Sequence, residues 1–368
     1  MDDHAAVIDE VAEIATAVGA DLVLHSGDLF DRPVPPVDAL RLGLLGLVHL
    51  ADSGRRPVVV VAGNHDSPEL FDTLAPFLSP FGVHLVGRIR PPGEGGVVSV
   101  DTVGGKARIA CFPFLRSAQV VDFMAQTDAW YGEYADRVRL ITESYATALG
   151  AIAAPGDATF LLGHFMVGGV KVDTAAPRGE RALHIGQAYA ATEAAVPTTL
   201  DYVALGHIHA PQPVPGARVP AAYAGSLLQL DFGEAGEEKR VVVVETTPGA
   251  PAMLRSIPIQ GGRRLIRASG PWDDLAGRTD LDEAFVDLTV TTTGPEPDLM
   301  DRARERFPGV VKVRAEYPRT ASVRRATGGR PWGELYAEYH AEAHAAAPPD
   351  ALLALFEEVR EEVADAPS

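Results

Sequence analysis

Apolar positions along the first 250 residues follow two rhythms, one helical and one of short continuous runs. Over residues 5–18, Val7, Ile8, Val11, Ile14 and Ala15 fall on one face of a 3.6-residue repeat, which predicts an amphipathic helix. Leu22-Val23-Leu24 follows as a short apolar run, the pattern of a buried strand. The alternation then repeats: 37–50 predicts a second helix, and 57–62, with four consecutive valines, a second buried strand. Further strands are expected at 107–112, 159–162, 202–205 and 240–245, with a long helical region over 118–152. Pro- and Gly-rich stretches at 91–96, 211–220 and 248–262 predict loops. Helices and buried strands in alternation predict a layered α/β domain.

Past residue 260 the pattern shortens to a strand at 283–291, a helix at 297–307 and a strand at 310–316, a compact β-α-β unit. Residues 328–331 read as a linker. The tail holds a segment at 332–344, then Pro348-Pro349, then an amphipathic helix over 350–363 that offers Leu352, Leu353, Leu355 and Phe356 to a partner or to the body of the protein. The expected organisation is therefore a main domain over 1–254, a small domain over 255–330 and a helical tail over 331–368.

Charge sharpens this division. The net charge of −18 argues against coating nucleic acid through bulk charge. Residues 255–330 carry 14 basic and 11 acidic groups, whereas the tail carries 1 and 9. Only the small domain is basic, so only there does composition favour contact with a polyanion. With 46% hydrophobic residues in 368, the chain has material for a large core and is not a disordered or fibrous protein. No stretch reaches the roughly 18 apolar residues of a membrane helix, and Met-Asp-Asp-His is not a secretory start, so a cytoplasmic location is expected. The single Cys111 reads as a small buried hydrophobe.

Four segments share one grammar: an apolar run, then Gly, then metal-type side chains. They are Leu22–Asp31 with Gly27-Asp28, Val58–Asp66 with Gly63-Asn64-His65-Asp66, Phe160–His164 with Gly163-His164, and Tyr202–His209 with Gly206-His207-Ile208-His209. In an open α/β sheet, ligands gather beyond the carboxyl ends of strands, and a Gly lets the backbone approach closely there. One carboxylate can join two cations, and an amide and imidazoles complete a set suited to manganese, zinc or iron. Singly, each has an ordinary reading: a turn, a helix cap or an interior histidine. Jointly, always after an apolar run, they point to a metal centre.

These blocks resemble the calcineurin-like metallophosphoesterase superfamily, whose signature runs D-x-H, G-D-x-x-D, G-N-H-D/E, G-H and G-H-x-H. Gly27-Asp28-Leu29-Phe30-Asp31, Gly63-Asn64-His65-Asp66, Gly163-His164 and Gly206-His207-Ile208-His209 match the last four. The flanking text, including Asn64-His-Asp-Ser67, Phe112-Pro-Phe-Leu-Arg116, Ala204–Gln212 and Tyr223-Ala-Gly-Ser226, is similar to the SbcD family of DNA-repair exonuclease subunits. The resemblance implies an α-β-β-α sandwich, then a small α+β capping domain and a helical tail. The first block has no counterpart after a strand. Asp2-Asp3-His4 fits the letters but follows no strand, His4 standing 24 residues before Asp28 at the start of the first helix, and the expectation is a late start that omits the first strand and two ligands.

By the same resemblance, two divalent ions, Mn2+ by donor type, would be held by Asp28, Asn64, His164 and His207 on one side and by Asp28 and His209 on the other. His65 would serve the phosphate or the leaving group, and Asp31 and Asp66 would orient loops and imidazoles. Arg263, Arg264, Arg267, Arg324 and Arg325 of the capping domain would meet DNA. The tail would dock on an SbcC-like ATPase, within a heterotetramer built on a homodimer associated with the nucleoid. A general phosphoesterase acting on small diesters or phosphoproteins, and a catalytically impaired binding subunit, are the competing expectations.

Overall fold

A computed structural model describes residues 1–116, 134–171, 190–318 and 330–365, with 361–365 as backbone alone. The chain forms two compact units, 1–262 and 263–368. In chain order the first contains α1 (Asp2–Ala17), β1 (Val23–His25), α2 (Val37–Leu50), β2 (Val58–Val61), α3 (Pro68–Leu78), β3 (Val83–Val86), β4 (Val97–Thr102), β5 (Gly105–Phe112), α4 (Tyr134–Ile152), β6 (Ala158–His164), β7 (Met166–Val167), β8 (Ala190–Ala191), β9 (Tyr202–Gly206), β10 (Gln212–Pro213), β11 (Ala221–Tyr223), β12 (Arg240–Thr247) and β13 (Ala250–Pro258).

Two sheets face each other. One is parallel, β1-β2-β3; the other runs β10-β11-β9-β6-β5-β4, parallel from β11 to β5 with antiparallel edges. The four valines of β2 explain the layering. Val58 and Val60 pack with Ala12, Leu47, Leu50 and Phe71 of the helices, whereas Val59 and Val61 pack with Ile109, Phe160 and Leu162 of the second sheet. Alternate side chains thus bury against two different layers, each valine contributing roughly 1.5–3 kcal/mol. On the far side of the second sheet, Val138, Ile141, Tyr145 and Leu149 of α4 cover Ala110, Phe112, Leu161 and Val203. The order helix, sheet, sheet, helix is the expected sandwich.

Cys111 is fully buried between the sheets, and burial pushes its thiol up to about 12. The helix expected over 118–152 is described from Tyr134 onward; 117–133 lie outside the described residues. The stretch 248–262, expected as a loop, holds β13 instead. It pairs antiparallel with β12 around Pro248-Gly249, so its Gly and Pro mark only the tip of a hairpin. The position 254/255 falls inside that strand, and the compact unit ends at Gly262.

The second unit contains β14 (Leu265–Pro271), α5 (Trp272–Ala276), β15 (Phe285–Thr291), α6 (Leu299–Arg306), β16 (Val310–Glu316), α7 (Trp332–His344) and α8 (Asp350–Asp365). Its sheet, β14-β15-β16, is parallel throughout. Val286, Leu288 and Val290 pack with Leu275, Leu299, Ala303 and Phe307. The strand β14 was not expected, because Arg267, Ser269, Gly270 and Pro271 interrupt its apolar pattern. Phe356, expected as available to a partner, stacks on Tyr336 at 4.2 Å between ring centres and joins α8 to α7, whereas Leu355 is 52% exposed. Among the described residues no helix is long and apolar enough to cross a membrane.

Candidate metal centre

The carboxyl ends of β1, β2, β6 and β9 carry the site. Adjacent parallel pairing puts His25 beside Val60 in one sheet and His164 beside Gly206 in the other. The loops beyond them meet with almost no clearance. A Cβ on Gly27 would strike His164 Nδ1, one on Gly63 would strike the Asp28 carboxylate and amide, and one on Gly206 would strike the Ser26 carbonyl oxygen. Glycine at positions 27, 63 and 206 is thus demanded by close contact, whereas Gly163, inside β6, makes room for the Phe165 ring. Asp28 and His207 themselves take left-handed backbone angles, φ 53° and 90°, each costing about 1–3 kcal/mol that the surrounding contacts must offset.

Those contacts are specific. The His65 amide donates to Asp28 Oδ1 at 2.9 Å. Asp66, fully buried, accepts from the amides of Leu29 (3.2 Å), Phe30 (3.0 Å) and Gly63 (2.9 Å), tying the loop after β1 to the loop after β2. Burial raises the Asp66 pKa, and the nearby charge of Asp28 raises it further. After this loop, the Ser67 hydroxyl accepts from the Leu70 amide and Pro68 opens α3, which fixes where the loop ends.

His164 is 1% exposed, with Nδ1 2.7 Å from the Ser26 carbonyl oxygen. A carbonyl can only accept, so Nδ1 carries a proton, and Nε2 is the nitrogen turned toward the other polar groups. That Nε2 lies 2.9 Å from Asn64 Oδ1 and 3.2 Å from Asp28 Oδ2. Asn64 Oδ1 also lies 2.9 Å from His207 Nδ1. A carboxylate oxygen, an amide oxygen and imidazole nitrogens therefore converge, the donor types that would hold a divalent cation. The donor set fits such an ion. Phe114 stacks on His207 at 5.9 Å and meets His164 edge-on at 6.2 Å, walling the group on an apolar side. Among the described residues, no three His, Cys, Asp or Glu side chains alone form a metal-ligand group, so this set depends on the Asn64 amide.

Electrostatics favour the same reading. Burial opposes ionisation of Asp28, but His164 and the His65 amide overcome it and hold the carboxyl well below the usual range. His25, whose Nδ1 accepts from the Gly27 amide at 3.3 Å, is held neutral, burial pushing its pKa down to about 4.

The remaining expected residues divide. His65 Nδ1 lies 2.9 Å from the Asp31 carbonyl oxygen, so Asp31 orients that imidazole through its backbone, while its exposed carboxylate pairs with Arg32. His209 Nδ1 lies 3.0 Å from Glu234 Oε1. Glu234, which sequence reading missed, is buried; its hydrogen bond with His209 and its ion pair with Lys239 override burial and bring its pKa down to about 2. No local spacing marks it, since it lies on an irregular turn 25 residues from its partner. In the second unit the Arg263 guanidinium lies 4.0 Å from the Phe285 ring centre. Arg267 lies 4.0 Å from the buried Asp287, which Arg314 also pairs at 3.1 Å. The Arg264 carbonyl accepts from the Phe285 amide, and Arg324 and Arg325 lie outside the described residues. Asp2, Asp3 and His4 lie in the first turn of α1.

The family model described as calcineurin-like phosphoesterase matches residues 2–211, more than half of the chain and all four strand tips. The chain belongs to the calcineurin-like phosphoesterase family. The fold and the hydrolytic class expected from the four motifs are those of this family. A second model, described as type 5 capsule protein repressor C-terminal domain, matches residues 262–343 and so begins one residue before the second compact unit. Among phosphoesterases of the family, the chain is similar to proteins named as the D subunit of nuclease SbcCD. It is 29% identical to that of Bacillus subtilis over 327 residues, 85% of this chain and 80% of the relative. The Rhodobacter capsulatus protein is 26% identical over 87% of this chain and 84% of its own length, and that of Escherichia coli K12 28% over 78% and 70%.

Proposed function

We propose that this phosphoesterase is the nuclease subunit of an SbcCD-type complex, hydrolysing DNA phosphodiester bonds in repair and recombination. The observation that carries the reading is the convergence of Asp28, Asn64, His164 and His207, with His164 Nε2 facing both the Asn64 and the Asp28 oxygens. The relatives' names supply the substrate class and the partner. Asp28, Asn64, His164 and His207 would hold one divalent ion, and Asp28 and His209 would contribute to a second, with Mn2+ suited to this mix of carboxylate, amide and imidazole. Bound ions at such a site supply positive charge for a phosphate and lower the pKa of a water.

The protein's own groups then have distinct tasks. Asp28 brings negative charge between two sheets, with Oδ1 fixed by the His65 amide. His65, with Nδ1 directed to the Asp31 carbonyl, is left with Nε2 to exchange a proton with the leaving oxygen. Asp66 keeps Asp28 and Asn64 in mutual register by holding both loops. Arg263, Arg264, Arg267, Arg324 and Arg325 would meet DNA phosphates, and the tail that includes α7 and α8 would dock on an SbcC-like ATPase. A homodimer within a heterotetramer, associated with the nucleoid in the cytoplasm, completes the proposal.

The test combines purified protein, Mn2+, linear duplex DNA and a chromogenic phosphodiester. Manganese-dependent shortening of the duplex is expected. Turnover of the small diester alone would reject the nuclease reading and leave a general phosphoesterase.

A further inference from the structure

We propose that Glu234 and Lys239 are positioning residues for His209, fixing the ring tautomer that makes Nε2 its ligating nitrogen; this rests on the metal-centre reading above. Glu234 is a buried carboxylate, 7% exposed, and both its oxygens are engaged. Oε1 lies 3.0 Å from His209 Nδ1, while Oε2 accepts from the Leu230 amide at 3.0 Å and from the Lys239 ammonium at 2.9 Å. A carboxylate can only accept, so His209 Nδ1 carries a proton, and whenever the ring is neutral its lone pair lies on Nε2.

Lys239 grips the same histidine a second way. Its Nζ donates to the His209 carbonyl oxygen at 3.2 Å, and to Glu237 Oε2 at 2.9 Å. The Ser226 amide donates to that carbonyl at 3.1 Å, and Gly225, at φ 84°, passes so close that a Cβ there would meet the carbonyl oxygen at 2.6 Å. His209 is therefore held at its ring by Glu234 and at its main chain by Lys239, two oppositely charged groups that also hold each other.

Burying an ammonium and a carboxylate together brings little net stability, because desolvation consumes most of the attraction. Such a pair is better explained by what it orients. Imidazoles that bind metals donate their other ring N–H to a carboxylate or carbonyl, and removing that partner commonly costs tenfold to a hundredfold in metal affinity. His164 uses the Ser26 carbonyl in this way. His209 uses Glu234, with charge added. A water molecule in place of Glu234 would accept as well as donate and would leave both tautomers accessible.

The experiment is 15N imidazole spectroscopy of the metal-free protein at about pH 8.5, where an ordinary imidazole is neutral. His209 is assigned by His209→Gln. The parent is expected to show the Nδ1–H tautomer, Glu234→Ala to shift toward Nε2–H, and Glu234→Gln, whose amide oxygen still accepts, to keep Nδ1–H. Added Mn2+ should broaden the His209 signal in the parent, and Glu234→Ala should need about 10–100 times more Mn2+ for the same broadening. An Nε2–H ring in the parent overturns the inference, and that measurement needs no variant to fold. Unchanged tautomer and unchanged Mn2+ requirement in a folded Glu234→Ala also overturn it. Absence of broadening at His164, His207 and His209 alike overturns the metal reading instead, and an intact tautomer tells the two failures apart.

Discussion

The His164 ring donates from Nδ1 to the carbonyl oxygen of Ser26, 2.7 Å away and 138 residues earlier in the chain. This bond crosses from the six-stranded sheet to the three-stranded one and decides which nitrogen of His164 can hold a cation. Replacing the ring by Gln keeps a polar group but loses both the tether and the lone pair. His164→Gln should lower Mn2+ affinity and duplex cleavage at least tenfold to a hundredfold, with the folded state retained. Calorimetric Mn2+ titration beside a DNA cleavage assay checks this, and unaltered affinity would remove His164 from the centre.

Gly63→Ala should be more damaging to chemistry than its single methyl suggests. The added Cβ would overlap the Asp28 backbone amide and its carboxylate, which the His65 amide holds in place, so neither can step aside cheaply. Loss of most activity is expected, with destabilisation of about 1–3 kcal/mol from overpacking. Gly93→Ala, with open space around it, is the matched control and should leave both unchanged. Thermal melts and cleavage rates of the two variants decide the matter.

Stability should fall on the alkaline side. Burial raises the pKa of Cys111 to about 12 and lifts the phenols of Tyr145, Tyr202 and Tyr223 above the usual tyrosine range. Because the folded values lie above the unfolded ones, about 8.5 for Cys and 10 for Tyr, folding favours the protonated forms. Their contribution is complete below about pH 8.5 and is lost as pH rises past about 10 toward the folded values. Melting temperature should therefore drop above about pH 9.5. Of the nine tyrosines, these three should ionise only with unfolding, which absorbance near 295 nm reports.

Arg264 and Arg267 should act on DNA through charge alone. Substituting both by Ala should weaken duplex binding evenly across sequences and flatten the salt dependence by about one unit of slope for each phosphate the protein no longer neutralises. Asp287 should be left out of such variants, since it is buried beneath Arg314 and Arg267 and its loss would unsettle the sheet. Unchanged salt dependence in the double variant would move the DNA surface elsewhere.

What the sequence made legible was local. The four valines of β2 announce a strand buried on both faces, and the Gly residues before Asp28, Asn64, His164 and His207 announce tight strand tips. These signals live within a few residues of one another. Glu234 and Ser26 were invisible because their roles come from partners 25 and 138 residues away, and a backbone carbonyl carries no mark in the alphabet at all. β13 hid for a different reason: the Gly and Pro of its hairpin tip outweigh a strand whose residues are mostly exposed. Asp31 was expected to orient an imidazole, and the atom that faces His65 is its main-chain carbonyl, which no residue type announces.

The groups that converge come from positions 28, 64, 164 and 207, at the carboxyl ends of four strands in two sheets. A ribosome must therefore release more than half of the chain before the last imidazole can join the first carboxylate. A site assembled from these four groups is therefore completed late in synthesis and all at once, and no shorter fragment holds the whole set.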